Sequence, residues 1–448
     1  MLQYTMGFTG ISSLFGGVIA PLGAQPSASS YSPVDTLWLI VATVLALLMA
    51  PGVAFFYGGL VRASSVIHMM MMSFGAMAIV GVLWVLYGYG VVFGPEWIPH
   101  WLGDPLSELG LNGIVSASGD IQVHDLALAG FHATFAIDVV ALISGAIADR
   151  ARFGAWMVFA GVWASIVYFP VAHWIFNTAD GWAAQLGMND FAGGTAVHVN
   201  AGAAALALAL VLGKRDGFTK GFDKPHNLPL TMLGAALLWI GWFGFNAGSA
   251  AAVNGVAVLA CMNTLVAPAA AILGWLVVEK LRDGKPTSVG AMSGLVIGLV
   301  AASPSCNVLT PGWTLVLGAL AGVIGALIAD LRFTFSLDDS LNVVGIHLVG
   351  GLIGTLFVGI AGIGMGVVNT GSWHQFGVQS LVAFVVMVYS FGMTWLIGTL
   401  IQRWMGFRIA RHEAQAGPDL AVHGERGYLL EPVATAAGVE TGAGVESP

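Results

Sequence analysis

The chain alternates between long apolar runs and short polar joints. Runs of about 20 residues, the length that crosses a lipid hydrocarbon core, fall at 36–60, 67–94, 124–148, 152–176, 193–213, 229–252, 254–278, 286–304, 312–330, 340–364 and 380–402. They are continuous rather than alternating with period two, which predicts α-helices and not the strands of a barrel. The expected fold is an all-α polytopic membrane protein with eleven transmembrane helices. Composition agrees: 57% of residues are hydrophobic, 8% are charged and mean hydropathy is +0.85, which excludes an ordinary water-soluble domain. The 62 glycines supply small surfaces on which such helices can pack closely.

Charge then orients the bundle. The joints at 95–123, 177–192, 305–311 and 365–379 contain no Lys or Arg. All 15 basic residues, from Arg62 through Lys214, Arg215 and Arg282 to Arg426, fall in the alternate joints and the tail. Basic residues are retained on the cytoplasmic side, so the amino terminus is expected outside and the carboxyl terminus inside. The outer side carries Glu96, Asp104, Glu108, Asp120, Asp125 and Asp180 without a basic counterweight. That excess either concentrates cations at an outer mouth or simply keeps this face soluble.

The pattern divides the chain into an N-terminal segment (1–34), a spanning domain (35–403) and a cytoplasmic tail (404–448). The first segment holds a modest apolar stretch ending in Leu22, Gly23 and Ala24, the outline of a weak signal peptide without a basic n-region. Cys261 and Cys306 have no metal-ligand spacing and are expected to remain unpaired. Nothing implies a cofactor, a metal or nucleic acid.

Two histidines interrupt the apolar runs in matched settings. D-F-A-G-G-T-A-V-H-V-N-A-G (190–202) and D-S-L-N-V-V-G-I-H-L-V-G-G (339–351) share an acid, a histidine eight residues on and a glycine four beyond that. An imidazole is costly in hydrocarbon unless it faces a protein interior or cavity, so Asp190 with His198 and Asp339 with His347 suggest one site assembled from two halves. If spans one to five and six to ten are the halves (about 36–213 and 229–364), each has an odd number of crossings. The second is then inverted relative to the first, and the histidines meet near the membrane midplane. The eleventh helix, 380–402, is an addition. A fainter echo links Phe56-Tyr57-Gly58-Gly59 with Phe245-Asn246-Ala247-Gly248.

The strings DFAGGTAVHVNAG, PHNLPLTMLGAALLWIGWFGFNAGSA (225–250), PGVAFFYGGLVR (51–62), ALISGAIADRARF (141–153) and GPDLAVHGERGY (417–428) together resemble the ammonium transporter family, Amt/Rh, and its Amt branch in particular. The resemblance runs from about residue 35 to 430. It implies an eleven-helix protomer in the plasma membrane, a homotrimer with one pore per subunit, and conduction of ammonium-derived nitrogen. It also implies that Phe135 and Phe245 form a stacked aromatic gate, and that Phe131 and Ser249 belong to an outer recruitment site. The family commonly has Trp at the position of Phe176, and phenylalanine is the weaker π donor, so either recruitment is weaker or Trp174 or Trp182 contributes instead. The tail resembles a regulatory segment that couples subunits and contacts a PII-type signalling protein.

The chemistry follows from the residues as well. A small cation is costly to bury, but ammonium can shed its proton and cross as ammonia, and imidazoles titrate near ~6.5, suiting them to proton exchange. Asp190 and Asp339 read as helix caps that shape the site. The family's second aspartate in that motif appears here as Asn342. Asp138 stands where the family has an aliphatic residue, on one face with Phe131 and Phe135 at i, i+4, i+7. It reads in two ways: as a proton or cation station, or as a protonated or hydrogen-bonded acid bracing a neighbouring helix. His132 is expected on another face in a packing role. His124, His173 and His374 are assigned to the outer ends, and His68 and His226 to the inner ends, in solvated or capping roles. Two other functions fit the histidine pair: an ammonium sensor with little flux, and a redox protein with a bis-histidine haem.

Overall fold

The computed structural model describes residues 32–115, 121–216, 218–219 and 225–428. The weak signal peptide read at the amino terminus and Asp120 lie outside the described residues. Among those described, ten helices are long and apolar enough to cross a membrane: α1 (Pro33–Leu60), α2 (Ala63–Phe93), α3 (Val123–Ile147), α4 (Phe153–Phe176), α5 (Gly194–Leu212), α6 (Leu228–Gly248), α7 (Gly255–Arg282), α9 (Pro311–Thr334), α10 (Val344–Ala361) and α11 (His374–Trp404). A shorter apolar helix, α8 (Ser288–Ala302), stands between α7 and α9. The loop after α2 holds an antiparallel two-stranded ribbon, β1 (Glu96–Ile98) with β2 (Leu102–Gly103).

Local chemistry sets the helix ends. Ser32 accepts from the Asp35 amide while Asp35 reaches back to the Ser32 amide, and Pro33 occupies the first turn of α1. Asn227 caps α6 and Thr310 caps α9, each next to a first-turn proline. Two spans come out markedly shorter than their apolar runs. The run 286–304 yields only the 15 residues of α8, because residues 303–309 leave the helix and bury their backbone against side chains. Asn263 donates to the Cys306 and Leu309 carbonyls at 2.8 Å each, so irregular backbone is satisfied inside the protein. The run 340–364 becomes α10 from Val344 because Asn342 takes a left-handed φ of 58°.

The helices are held by small contacts rather than by hydrophobic segregation, since lipid is as apolar as leucine. Gly52 and Gly234 illustrate this: a Cβ on Gly234 would collide with the Phe56 backbone, and one on Gly52 would press the Leu238 amide. They let α1 lie directly against α6. Likewise α5 packs against α10. Outward-facing apolar side chains such as Leu37, Val85, Leu273, Leu327 and Phe384 are exposed, as a lipid-facing surface requires.

At the basic end of the bundle a buried ionic layer ties three loops together. Asp338 accepts from Arg215 Nη2 at 2.8 Å and Nε at 2.9 Å, and Arg150 lies 3.4 Å from the same carboxylate. Arg150 also donates to Ser340 Oγ at 2.6 Å and to the Ala146 carbonyl at 2.9 Å. Arg215 reaches Asp149 at 3.0 Å. Burial alone would raise the Asp338 carboxyl, but the Arg215 hydrogen bonds and the charges of Arg150 and Arg215 outweigh it and hold it below its ordinary value of 3.8.

The tail folds back onto this end. The Asp419 carboxylate accepts from the His68 amide at 2.8 Å, His68 Nδ1 meets His423 Nε2 at 3.0 Å, and His226 Nε2 meets the Tyr428 hydroxyl at 2.9 Å. His68 is therefore not solvated as its position suggested; it is 1% exposed beneath the tail. His173 is likewise buried, with Nδ1 2.8 Å from the Val92 carbonyl.

Asp338→Ala leaves two buried guanidinium groups without their shared carboxylate and is expected to destabilise the fold by about 3–5 kcal/mol, read as a lowered unfolding midpoint in detergent. Because the folded carboxyl titrates below its unfolded value, its contribution is present above pH 3.8 and lost on acidification below it. The variant should therefore lack that part of the wild type's acid sensitivity.

Candidate functional site

Each histidine sits in a π-helical turn at the start of its helix: His198 in Gly194–Val199 of α5 and His347 in Val344–Val349 of α10. Such wide turns are rare and redirect a side chain from its α-helical position. Both turns are anchored by the acids singled out in the sequence. Asp190 Oδ2 accepts from the Thr195 and Ala196 amides at 2.9 and 2.8 Å. Asp339 accepts from the Val343 and Val344 amides at 3.0 and 2.7 Å. The glycines four residues past each histidine then bring the helices together. A Cβ on Gly202 would strike the Leu348 backbone, and one on Gly351 would crowd the Gly194 carbonyl and Val199. Thr195 and Thr355 share a hydrogen bond of 3.0 Å across the same seam.

The outcome is contact between the rings. His198 Nδ1 and His347 Nδ1 are 3.3 Å apart, with ring centroids 5.4 Å apart and planes inclined by 27°. His198 is fully buried and His347 is 2% exposed. In a neutral pair one Nδ1 donates and the other accepts, which fixes opposite tautomers and directs both Nε2 atoms away from the contact. Nδ1 atoms engaged with each other are closer than the roughly 4 Å that separates axial nitrogens across one metal with ~2 Å bonds, so the geometry gives no support to the haem reading.

Aromatic rings continue the column. Phe135 and Phe245 stack with centroids 3.9 Å apart and planes within 13°, and Phe245 lies 6.2 Å from the His198 ring. Trp242, one turn from Phe245 on α6, stacks on His198 at 5.4 Å and 27°. The sequence reading missed this residue, although its i, i+3 spacing from Phe245 placed it on the same face. Its indole donates to Ser303 Oγ at 2.9 Å, which holds the ring in place.

A cavity of about 270 Å³ opens beyond the stacked phenylalanines, lined by Phe131, Phe135, Phe176, Ser249, Asp190 and His132 among others. Ser249 Oγ donates to the Phe245 carbonyl at 2.9 Å, so towards a cation its hydroxyl acts as an acceptor. His132 is not on another face: it lines the cavity, 4.8 Å from Phe93, 5.4 Å from Phe176 and 5.5 Å from Phe135 between ring centroids. Trp174 is not brought in. Its ring packs with Trp101, Trp182 and Tyr389, and its indole donates to the Trp101 carbonyl at 3.0 Å. On the far side of the histidines a second cavity of about 210 Å³ is lined by Phe56, Trp275, Glu279, Arg282, Asn342 and Ile346.

The two acids differ in surroundings. Burial pushes the Asp190 carboxyl up to about 6 despite its backbone hydrogen bonds. The Asp339 carboxyl is also raised by burial, opposed by the Arg332 charge and the two amides. Asp138 is 1% exposed and neither of its oxygens has a hydrogen-bond partner, so it braces no neighbouring helix through such a bond.

Residues 37–428 match the family described as Ammonium Transporter Family. The chain is 48% identical over 430 residues to an ammonium transporter of Mycobacterium tuberculosis, covering 88% of this chain and 90% of that one. Among solved structures it resembles Mep2 of Saccharomyces cerevisiae, with TM-score 0.79 and 30% identity over 86% of this chain and 90% of that one. It also resembles a structure titled Sensor Amt Protein, with TM-score 0.80 and 28% identity over 87% and 98%.

Replacing Asp190 by Ala is expected to cost about 1–2 kcal/mol, the range of a lost helix cap, while Asn keeps an acceptor and most of the stability. The folded carboxyl titrates near 6 against 3.8 when unfolded, so protonation favours the fold. Thermal midpoints of the wild type should fall as pH rises from about 4 to 6, and those of Asp190→Asn should lack that step.

Proposed function

This chain belongs to the ammonium transporter family, and from that footing we propose how its residues divide ammonium into ammonia and a proton. It is a multi-pass membrane transporter and not an enzyme. Ammonium collects in the outer cavity against the faces of Phe131, Phe135 and Phe176, each cation–π contact being worth ~0.5–2 kcal/mol, and donates to Ser249. It gives up its proton there, and neutral ammonia passes as the Phe135 and Phe245 rings part. It then moves along the edges of His198 and His347 into the inner cavity.

The observation that carries this reading is the buried imidazole pair between two cavities, closed on one side by stacked rings. An intact cation would face an idealised desolvation cost of order 20 kcal/mol in such a passage. Potassium has the same charge and cannot shed a proton, so it meets the whole of that barrier and is rejected. The proton follows separately across the paired imidazoles, which makes transport electrogenic.

We place the eleven apolar helices across the cytoplasmic membrane with the amino terminus outside and the tail inside, as an inverted five-plus-five repeat with α11 added. The close packing of α1 on α6 and of α5 on α10, each on its counterpart, supports this arrangement. We further propose a homotrimer, and a PII-type protein that binds where the tail docks beside His68. The likeness to a protein titled as a sensor favours a second reading, signalling with little flux.

Methylammonium uptake by a transporter-deficient strain separates the two: robust uptake is expected, and none would leave the sensor reading. In proteoliposomes, ammonium and not potassium should evoke current. Replacing His198 or His347 by Phe, which keeps a ring but removes its nitrogens, should lower that current by roughly a hundredfold. Undiminished current would refute the role of the pair.

A further inference from the structure

We propose that a cleft between the tail and three loops of the basic end binds inorganic phosphate or a phosphate monoester. The cleft shares no lining residue with either cavity of the proposed path, so the site goes beyond the transport reading.

Four separate segments of chain converge on a cavity of about 240 Å³. Arg62 comes from the joint between α1 and α2, Asp149 and Arg150 from that between α3 and α4, and Arg215 and Asp216 from the end of α5. The tail contributes Arg408 and Arg411. Backbone fixes the tail here: the Arg152 amide donates to the Phe407 carbonyl at 2.8 Å and the Ile409 amide to the Arg150 carbonyl at 2.9 Å. That pairing sets Arg408 opposite Ala151 and holds it at the cleft.

Charge divides the cleft into a floor and a rim. In the floor the buried Arg150 and Arg215 are balanced by two carboxylates, Asp338 at 3.4 and 2.8 Å and Asp149 at 3.0 Å from Arg215. At the rim three guanidinium groups, Arg62, Arg408 and Arg411, face the single carboxylate of Asp216. Glu413, close by in the tail, is turned to Arg152. Arg411 pairs with Asp216 at 2.7 Å, but the two side chains are 76% and 54% exposed, so the pair contributes little and can open. Arg62 lies 3.7 Å from Asp149, a carboxylate already engaged by Arg215. Arg408 meets no carboxylate among the described residues; it donates to the Leu212 and Lys214 carbonyls at 2.7 and 2.6 Å, which orient the group but cancel only part of its charge. The rim therefore keeps a surplus of two positive charges, three less one.

That surplus and its shape select the ligand. Phosphate monoesters carry about −1.5 to −2 charges at pH 7 and three strong acceptor oxygens. A planar guanidinium meets two such oxygens at once, and the rim offers three of these forks. Donors remain for the purpose: Arg62 spends one N–H on the Ala414 carbonyl at 3.4 Å, and Arg411 only its Nε on Asp216. Arg408 is already oriented, which lowers the cost of ordering the site. Two sources present this chemistry: free phosphate in water, and the monoester headgroup of phosphatidic acid at the membrane surface. Either one touches both tail and loops and so ties the tail to the bundle.

The test titrates purified full-length protein in neutral detergent with sodium phosphate by isothermal calorimetry, at about pH 7.5 where phosphate is mostly dianionic. Chloride keeps the ionic strength constant, because exposed charges are screened by salt. One saturable site per protomer is expected. Arg62→Gln and Arg408→Gln should each weaken it by roughly tenfold, the loss of one charge-assisted hydrogen bond, whereas Arg403→Gln, outside the cleft, should leave it unchanged. A second arm counts phosphatidic acid retained from phosphatidylcholine nanodiscs by native mass spectrometry, for wild type and the same variants. Phosphate binding that the cleft variants weaken assigns the site to a free anion; weakened retention of phosphatidic acid alone assigns it to a headgroup. If neither ligand distinguishes Arg62→Gln and Arg408→Gln from wild type, the site is overturned. Should Arg408→Gln not yield monodisperse protein, Arg62→Gln and Arg411→Gln decide, since both change exposed side chains. No arm reads ammonium transport, so failure here and failure of the transport reading are separate results.

Discussion

The contact between two imidazoles inside an apolar bundle constrains everything around it. Polar groups buried in hydrocarbon are costly unless partnered, and His198 and His347 partner each other at 3.3 Å. That separation requires α5 and α10 to approach closely along the seam where they cross, which Gly202 and Gly351 permit and any side chain there would prevent. It also requires each ring to leave the direction an α-helix would give it, which the two π turns provide. Wide turns leave amides short of partners, and Asp190 and Asp339 accept from them. Histidine, glycine and aspartate are thus parts of one device, repeated in two places.

The remainder of the molecule separates stability from passage. Strong polar interactions are concentrated at the basic end, where Asp338, Arg150 and Arg215 lock the loops, and in the tail contacts of Asp419, His423 and Tyr428. The middle is held by small-residue packing and by single hydrogen bonds such as Trp242 to Ser303. Adjacent acids show the division: Asp338 is held ionised by arginines, whereas Asp339, one residue on, accepts from the amides that start the second histidine turn. An end locked by ion pairs and a sparsely bonded centre suit the proposed path, in which rings part while the helices stay in place.

Much of this was legible in the sequence. The ten long helices fall on ten of the eleven apolar runs because hydrocarbon excludes unpaired backbone and so forces length and apolarity together. The repeat of acid, histidine and glycine located both sides of the pair. The stacked phenylalanines came from resemblance, and the structure places Phe135 and Phe245 together. The misses share a cause. His132 was assigned by helical spacing to another face, but the cavity is wide enough for two adjacent positions of α3 to reach it. Trp174 was a candidate by proximity in sequence to Phe176, and two residues along a helix point it instead into the Trp101, Trp182 and Tyr389 cluster. His68 was read as solvated because the tail that covers it lies more than 350 residues away in the chain.

The sequence by itself determined which segments span, the segregation of basic residues to alternate joints, and the residue types that meet at the site, since these depend on composition and spacing along one chain. Only the tertiary structure decided that the histidines touch through Nδ1, that Trp242 backs one of them, that α8 stops short, and that Asp138 and Tyr168 are left without partners. Those outcomes depend on which helices come into contact and at what rotation, and pairwise geometry of that kind leaves no period in a sequence.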